Sequence, residues 1–451
     1  MSRFVLADRA TAYLLPPSVE EWLPAEHLAR FVVEVIEQLD LSELTKQYAG
    51  RGSAAHHPAV LLGLLVYGYA SGVHSSRKIE RATYDALAFR YVAANTHPDH
   101  DTLASFRRRF LKQIEALFVQ VLLLAGEMKL LKLGRIALDG TKIRANASQH
   151  KALSWAHANR IEAQLRQEVR DLLALAETSD RSDIPDGMDV PAELARRQDR
   201  LEAIARAKAQ IEQRAAERYQ SEQQAYAAKQ AKRQAQRQAG KNPGGKDPDP
   251  PQAGPRDGDQ VNLTDAQSRI MRVADGGFEQ SYNAQAAVDT QTMLVITQHV
   301  SQAGNDMREV EPTLKQIRAL PEALGTVSTL LADAGYYSQA NTIACDEAGI
   351  EPLLASGRQR HHLPVMARFA ADTPPPQSED VLERMRHRLG TQAGRALYGL
   401  RKCTVEPVFG IIKQVMGWRQ VSLRGLAQVQ GEWSLVTMAW NIKRMHVLRA
   451  A

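Results

Sequence analysis

The chain has 451 residues, of which 57 are Lys or Arg, 51 are Asp or Glu and two are Cys. At roughly 100–200 residues per domain, this length predicts two to four structural units with at least one sizeable core. Cys345 and Cys403 are too few for a disulfide framework, and no Cys or His spacing is typical of structural zinc. The composition therefore excludes the disulfide-rich secreted class and predicts a soluble cytoplasmic protein.

The sequence predicts neither a secretory signal nor a membrane span. Its longest apolar stretches, Ala59–Tyr67 and Val121–Ala125, are well short of the ~20 residues that cross a bilayer. The first residues lack an apolar region followed by a small-residue cleavage site. The net charge of +6 is small for this length, so the positions of the charges indicate more than their sum.

Residues 1–130 are predicted to be helical, because apolar residues recur at helical spacing and Pro58 opens an apolar segment. Thr102 is the predicted N-cap of a long helix over Leu103–Leu124. Short helices beside a basic cluster favour a DNA-binding module of the helix-turn-helix kind, in which the predicted DNA contacts are Arg107, Arg108 and Arg109. A plain helical bundle with a solvated basic face explains the same spacing equally well.

Residues 131–149 are predicted to hold one strand, apolar up to Asp139. In residues 150–260, two amphipathic stretches predict an antiparallel helical hairpin. The segment from Lys229 to Lys246 then carries six basic residues and no acidic one, and Pro/Gly-rich sequence continues to Pro255. This composition predicts a disordered linker, whose basic part is either solvated or in contact with nucleic acid.

Residues 261–451 are predicted to form an α/β region. Its predicted elements are a hairpin over 282–300, a helix over 306–320, a buried strand over 327–333, a helix capped by Ser338, a short strand over 351–355, and helical sequence to about residue 448. Strands that alternate with helices are typical of a sheet covered by helices.

Two aspartates interrupt apolar strands: Asp139 follows Ile136-Ala-Leu138, and Asp333 follows Leu330-Leu-Ala. Burying a lone carboxylate is unfavourable unless a positive group neutralises it. Side by side in one sheet, the two would make an oxygen-ligand site for a hard cation such as Mg²⁺. Taken singly, each aspartate is also explained as a strand-end turn or a helix cap.

Glu406 lies in a basic part of the chain, since Arg384–Arg444 holds eleven Lys or Arg and only two acidic residues. Thr404 is a predicted N-cap, which places Glu406 at the start of a helix. Lys413, seven residues later, returns to the same helical face. A simple salt bridge remains an alternative explanation for a carboxylate among cations.

Together, two strand aspartates and a helix glutamate predict more than any one of them. Two metal ions bridged by carboxylates can activate a water or a 3′-hydroxyl and stabilise the leaving oxygen of a phosphodiester. The surrounding Lys and Arg would hold DNA phosphates.

An ordered series of short motifs extends over nearly the whole chain. In order these are Phe4 with Asp8-Arg9, Leu14-Leu-Pro, Ser76-Arg-Lys-Ile-Glu-Arg81, Pro98-Asp-His-Asp-Thr102, Leu138-Asp-Gly-Thr-Lys142, Asn262-Leu-Thr-Asp265, Tyr282-Asn-Ala-Gln-Ala286, Ala332-Asp-Ala-Gly-Tyr336, Thr404-Val-Glu-Pro-Val-Phe-Gly410, Arg424-Gly-Leu and Glu432-Trp. The series resembles the DDE transposases of bacterial insertion sequences, in the ribonuclease-H-like, retroviral-integrase superfamily. Among these, the chain is most similar to the branch catalogued as number eleven-eighty-two.

The resemblance implies a ribonuclease-H-like α/β fold, a mixed sheet flanked by helices. An all-α DNA-binding domain (1–130) would precede it, and a helical hairpin (150–260) would separate its first strand (131–149) from the remainder (261–451). The implied catalytic and metal-binding residues are Asp139, Asp333 and Glu406, with Mg²⁺ as the cofactor and Mn²⁺ as an alternative.

A further family signature, Y-x2-R-x3-E-x6-K, maps with one departure onto Tyr398, Arg401, Glu406 and Lys413. Four residues rather than three separate Arg401 from Glu406, and Lys402 stands at the expected spacing. Tyr398 and Lys413 are therefore predicted to contact DNA phosphates, while Arg401 and Lys402 are rivals for the remaining contact.

Other candidates fit less well. Four aspartates could replace one of the strand pair but are predicted to lie in loops, a hairpin or a helix start, namely Asp265, Asp275, Asp289 and Asp306. Adjacent histidines cannot direct both rings to one face, so the pairs predicted to lie at the surface are His56-His57 and His361-His362. Trp418 either packs in the core or stacks on an unpaired base.

The predicted function is a transposase that binds the terminal inverted repeats of its element, cleaves them and joins the 3′-ends to target DNA. Its predicted partners are double-stranded DNA and a second copy of the chain in the active complex, without a membrane. Its predicted location is the bacterial cytoplasm, at the nucleoid. Two alternatives are a DNA-binding protein without catalysis, such as a domesticated transposase, and a metal nuclease of the same fold without strand transfer.

Overall fold

The computed structural model describes residues 18–48, 55–178, 189–240, 242–273, 276–357, 372–378 and 380–450. Several sequence features lie outside these described residues, namely the motifs at Phe4–Arg9 and Leu14–Pro16, Asp275 and the His361-His362 pair. The chain divides into two compact units, Met1–Ile143 with Asn283–Ala451, and Arg144–Tyr282. The predicted domain boundaries differ from these bounds and stay predictions.

Helices come first in the chain, and a strand, a helical hairpin and a series of strands and helices follow, in the order that the sequence predicted. The helices are α1 (Leu28–Gln38), α2 (Ser42–Thr45), α3 (Pro58–Ser71), α4 (Ser76–Asp85), α5 (Leu87–Val92), α6 (His100–Arg109), α7 (Leu111–Glu127), α8 (Trp155–Thr178), α9 (Val190–Gln238), α10 (Val310–Arg318), α11 (Gln339–Glu347), α12 (Val381–Gly390), α13 (Gln392–Gly410) and α14 (Leu426–Arg449). The strands are β1 (Leu133–Arg144), β2 (Ala152–Ser154), β3 (Gln260–Asn262), β4 (Arg269–Arg272), β5 (Phe278–Asp289), β6 (Val295–Ser301), β7 (Gly325–Ala332) and β8 (Glu351–Leu354).

A mixed sheet forms the centre of the first unit. Its strand order is β5-β1-β7-β8, and β6 pairs with β5. β1 and β8 each run parallel to β7, whereas β5 and β6 form the predicted antiparallel hairpin. The parallel strands are apolar because both of their faces are covered, and Ile136, Leu330 and Leu353 are fully buried.

The predicted helix over Leu103–Leu124 is two helices in the structure, because the chain breaks between α6 and α7. Phe110 ends α6 with a non-helical backbone and is buried, stacked on Tyr48. The N-cap is Asp99 rather than Thr102, and its carboxylate accepts a hydrogen bond from the Thr102 backbone N–H at 2.8 Å. Helical periodicity continues across the break, which is why the sequence pattern did not reveal it.

The predicted start of a helix at Thr404 is also wrong, because Thr404 lies buried inside α13. The N-cap of α13 is Thr391, whose hydroxyl accepts a hydrogen bond from Gly394 N–H at 3.0 Å. Pro407 lies near the C-terminal end of α13, where the missing N–H leaves the carbonyl of the exposed Cys403 without its helical donor. A π-helical segment, Ile411–Val415, continues the chain from there.

A buried polar cluster joins the N-terminal helices to α14 within the first unit. The fully buried Glu432 carboxylate accepts hydrogen bonds from the Tyr69 hydroxyl at 3.0 Å and from the Ser422 backbone N–H at 2.9 Å. Arg107 donates to the same Tyr69 hydroxyl at 2.9 Å. Because every buried polar group needs a partner, this cluster fixes α3 and α6 against α14.

The second unit contains the predicted helical hairpin. α8 and α9 pack around a small apolar core that β2 and β3 complete as an antiparallel pair. The core is built from Leu153, Ala158, Leu165, Ile204, Ala207, Ile211 and Val261.

The predicted disordered linker has neither helix nor strand over 242–257, but α9 holds it in place. Arg233 donates to the Gly244 carbonyl at 3.1 Å, and Arg237 approaches the Asp247 carboxylate at 3.2 Å. Arg218 donates to the Gly254 carbonyl at 3.1 Å. Arg233 and Arg237, two residues of the predicted basic segment, therefore bind the loop that follows them.

The predicted fold class is confirmed: helices precede a mixed α/β sheet, and a helical hairpin interrupts the chain after the first strand. Among the described residues, no single helix is long and apolar enough to cross a membrane. The bent pair α3 and α4 passes that test only by combined length and composition.

Replacing Glu432 with Ala should lower the free energy of unfolding by at least about 3 kcal/mol, because the Tyr69 hydroxyl and the Ser422 N–H would lose their acceptor and the buried Arg107 would lose a nearby negative charge. Chemical denaturation of the variant measures this change. Arg449→Ala, on the same helix, breaks a half-exposed ion pair with Glu34 and a contact over the Phe31 ring, and should cost less than about 2 kcal/mol. Equal losses in the two variants would contradict the role assigned to the buried cluster.

Candidate active site

The register of β1 and β7 brings the two strand aspartates together. Leu138 is paired with Ala332 in the parallel ladder, so Asp139 and Asp333 follow at neighbouring positions. Each carboxylate accepts a backbone N–H at 2.8 Å, Asp139 from Gly140 and Asp333 from Gly335. The prediction that one sheet places these two side chains next to each other is confirmed.

Burial dominates the electrostatics of Asp139, whose side chain is only 17% exposed. Loss of water raises the pKa of this carboxyl to about 7, because the charged form is poorly solvated there. The Gly140 N–H and the Arg401 guanidinium oppose the shift, and the charges of Asp333 and Asp306 add to it. Asp139 is thus held close to the balance between its neutral and charged forms near neutral pH.

Arg401 connects the strand aspartates to the helix glutamate. Its guanidinium lies 3.2 Å from Asp139 Oδ2 and 2.9 Å from Glu406 Oε1. Arg401 and Glu406 both lie in the body of α13. The sequence had instead predicted Glu406 at the start of a helix, and that prediction is wrong. Glu406 is about half exposed, whereas Arg401 is largely buried, so the guanidinium closes the inner side of the site.

Tyr398 and Lys413 lie beside the same group. Burial raises the pKa of the Tyr398 hydroxyl, and the neighbouring Arg401 opposes that rise. The Lys413 ammonium, from the π-helical segment, contacts the Thr141 hydroxyl and donates to the Lys142 carbonyl at 3.0 Å on β1. The signature residues therefore converge on β1, but Lys402 is exposed and makes no ion pair among the described residues.

Sequence reasoning set Asp306 aside as a helix-start residue, yet the structure places it in this site. α10 begins only at Val310, and Asp306 lies in the loop before it. Its Oδ1 accepts amide N–H groups from Asn283 and Gln285, each at 2.7 Å. The Tyr282-Asn-Ala-Gln motif contained this signal, since alternate residues of a strand point to one face.

The three arginines at the end of α6 do not form one DNA-facing cluster. Arg107 is 7% exposed and bound to Tyr69, so its predicted contact with DNA does not hold. Arg109 donates to the Gln47 carbonyl and lies over the Tyr48 ring. Arg108 is exposed, and its DNA contact stays a prediction.

The remaining candidates have structural roles. Trp418 is buried and stacks on Trp433, as the packing interpretation predicted. Asp289 accepts the Thr292 backbone N–H at 2.8 Å in the hairpin turn, and Asp265 of the second unit accepts the Tyr282 hydroxyl at 2.8 Å. His57 is the N-cap of α3, where its ring accepts the Ala59 N–H at 3.2 Å.

Hard oxygen donors make the site suitable for a divalent cation. However, among the described residues no three His, Cys, Asp or Glu side chains are arranged to hold a metal ion. The Arg401 guanidinium lies between Asp139 and Glu406 and pairs with both carboxylates. The donor set therefore fits a cation only after this guanidinium withdraws.

Two family models match the chain. The model described as Transposase DDE domain matches residues 257–442, and the model described as Transposase domain (DUF772) matches residues 17–109. Together they cover more than half of the sequence. The chain belongs to the DDE transposases of insertion sequences. No curated protein and no solved structure shows a significant match to it.

Membership of this family confirms the resemblance and makes DNA the partner of the transposase. The mixed sheet is consistent with the ribonuclease-H-like fold of DDE domains, and divalent metal ions are generally used in the family. Asp333 and Glu406 lie within the matched DDE domain, whereas Asp139 precedes it. The particular branch of the family stays a prediction.

Asp139→Asn should raise the thermal stability of the transposase above that of the wild type, and this gain should be larger at high pH than at low pH. The carboxyl has a pKa of about 7 when folded and about 3.9 when unfolded. The neutral carboxyl therefore contributes its full stabilisation of the folded wild-type protein below about pH 4, and this contribution is lost as the pH rises through about 7. Calorimetry in EDTA should show a larger rise in Tm at about pH 8 than at about pH 5. The same rise at both pH values would contradict the buried, charge-disfavouring environment of Asp139.

Proposed function

We propose that this transposase binds the terminal inverted repeats of its element, cleaves the DNA strands by hydrolysis and joins the 3′-ends to target DNA. The observation that carries the proposal is the meeting of Asp139 and Asp333 on adjacent parallel strands, with Glu406 connected to them through Arg401. The proposed partner is double-stranded DNA, and the proposed active complex is a homodimer in the bacterial cytoplasm.

Asp139, Asp333 and Glu406 would hold the divalent cation, proposed to be Mg²⁺ with Mn²⁺ as an alternative. When bound, such ions activate a nucleophile and stabilise the leaving oxygen of a phosphodiester. The protein contributes a rigid platform, because backbone N–H groups already orient the two strand carboxylates. Glu406 is the most exposed of the three and therefore the one best placed to adjust when DNA enters.

Arg401 is the proposed phosphate contact of the signature, with Tyr398 and Lys413 beside it. A guanidinium can bind two oxygens at once, and here it binds two carboxylates. With those carboxylates engaged by a divalent cation, Arg401 would be available to a DNA phosphate. Lys402 is exposed and forms no ion pair among the described residues, whereas Arg401 already binds two carboxylates of the site, which favours Arg401 as the clamp despite its shifted spacing.

Asp333→Asn should abolish cleavage of the element end while leaving DNA binding intact, because the variant removes one carboxylate charge and no phosphate contact. Cleavage is measured on labelled end DNA with Mg²⁺ and with EDTA, and binding by fluorescence anisotropy. Wild-type protein should cleave only with the metal, at a rate at least about a thousandfold above the variant, or roughly 4 kcal/mol in barrier.

Pre-cut ends incubated with target DNA separate the alternatives. Joined products support strand transfer, whereas cleavage without joining would indicate a metal nuclease. Unchanged cleavage by Asp333→Asn would overturn the catalytic assignment, whereas wild-type protein that binds the ends without cleaving them would leave a DNA-binding role alone.

Arg401→Gln should weaken end binding in Ca²⁺ and lower the slope of log affinity against log salt by about 1, as expected for one lost phosphate contact. Lys402→Gln is the matched control, because it removes the same charge at the next residue. Binding measured over a salt series decides between them. Loss of slope in Lys402→Gln alone would make Lys402 the clamp.

A further inference from the structure

Asp306 approaches both strand aspartates from a loop. The loop connects β6 to α10, and the side chain of Asp306 is 23% exposed. Its charge acts on Asp139, and its Oδ2 faces Gly335, two residues after Asp333. A third aspartate therefore stands where the first two meet.

Buried amides fix the Asp306 carboxylate. Asn283 and Gln285 are fully buried, point to the same face of β5 and donate to Oδ1 alone. The Tyr336 hydroxyl, also fully buried, donates in turn to the Gln285 side-chain carbonyl. Since a buried amide without a partner is costly, the network holds Asp306 in one orientation, in which Oδ2 lies on the side of Gly335.

Two glycines make room for this carboxylate, and each follows a strand aspartate. A Cβ atom at Gly140 would stand 2.5 Å from Asp306 Oδ1, so the carboxylate would have to shift. A Cβ atom at Gly335 would stand 3.0 Å from Asp333 Oδ1 and 3.9 Å from Asp306 Oδ2, so this position lies near both carboxylates. The observed place of the Asp306 carboxylate thus depends chiefly on the missing side chain at Gly140.

Lys142 provides the nearest positive charge to Asp306. Its Nζ lies 3.5 Å from Asp306 Oδ1, is buried, and has no hydrogen-bond partner in the described part of the chain. Lys142 and Arg401 are two positive charges that pair with the acidic groups of the site. They face four carboxylates, those of Asp139, Asp306, Asp333 and Glu406, so the negative charge of Asp306 is offset only in part.

We propose that Asp306 is a positioning residue of the active site, whose charge strengthens the binding of the divalent cation by Asp139 and Asp333, and that Lys142 opposes this binding. The inference rests on the proposed metal-dependent function. A loop anchor without a role in the site would use the same hydrogen bonds but not the charge.

Binding of Mn²⁺ to the full chain without DNA, followed by electron paramagnetic resonance, tests the charge directly. Asp306→Asn keeps an oxygen acceptor for Asn283 and Gln285 but removes the charge, and should weaken Mn²⁺ binding at least about tenfold. Lys142→Met should strengthen it. Glu311→Gln removes the same charge from an exposed position on α10 and should leave the affinity unchanged.

Wild-type affinity in Asp306→Asn, or an equal loss in Glu311→Gln, would overturn the inference. Circular dichroism checks that each variant is folded, and if Asp306→Asn is not, Lys142→Met decides, since unchanged binding there also overturns the inference. Wild-type protein that binds no Mn²⁺ would instead contradict the proposed metal-dependent function. The two failures are thereby distinguished.

Discussion

Repulsion between two carboxylates on adjacent parallel strands is the interaction on which the rest of this site depends. Parallel pairing of β1 and β7 places Asp139 beside Asp333, and burial removes the water that would otherwise solvate the Asp139 carboxylate. A cation must offset that repulsion. In the protein by itself the cation is Arg401, whose planar fork suits two carboxylates at once. The neighbouring Gly140 and Gly335 keep the space around these charges open.

Bringing Glu406 to the sheet requires that the chain after α13 follow a fixed course. Lys413 binds β1 from the π-helical segment, and the Glu432 carboxylate holds the Ser422 and Leu423 backbone N–H groups that come shortly after it. Both ends of this stretch are thus tied to the first unit. π-Helical turns often mark functional sites because they re-aim side chains, and here the turn directs Lys413 to β1.

Sequence predicted the strand aspartates well because an acidic residue stands out against an apolar strand. It set Asp306 aside, since a loop residue has no periodicity and its position depends on the tertiary path before α10. The only sequence signal was the alternation of Asn283 and Gln285, which bind Asp306 from β5. The predicted DNA contact of Arg107 was wrong for a related reason. A charge pattern shows where a basic residue lies in the sequence, whereas the burial of Arg107 depends on Tyr69 and Glu432 from distant segments. Thr404 likewise suggested a helix start, because the sequence pattern does not show that this threonine is buried within a longer helix.

Arg401 also links metal binding to DNA binding in the proposed function. The same carboxylate oxygens cannot serve a guanidinium and a divalent ion together, so the cation must displace Arg401 from Asp139 and Glu406. A displaced guanidinium in a partly buried site needs a new anionic partner, and a DNA phosphate supplies one. By linkage, a phosphate that retains the displaced arginine strengthens cation binding as much as the cation strengthens phosphate binding. The site would then favour the fully assembled state over either partly bound one, which restricts cleavage to bound DNA.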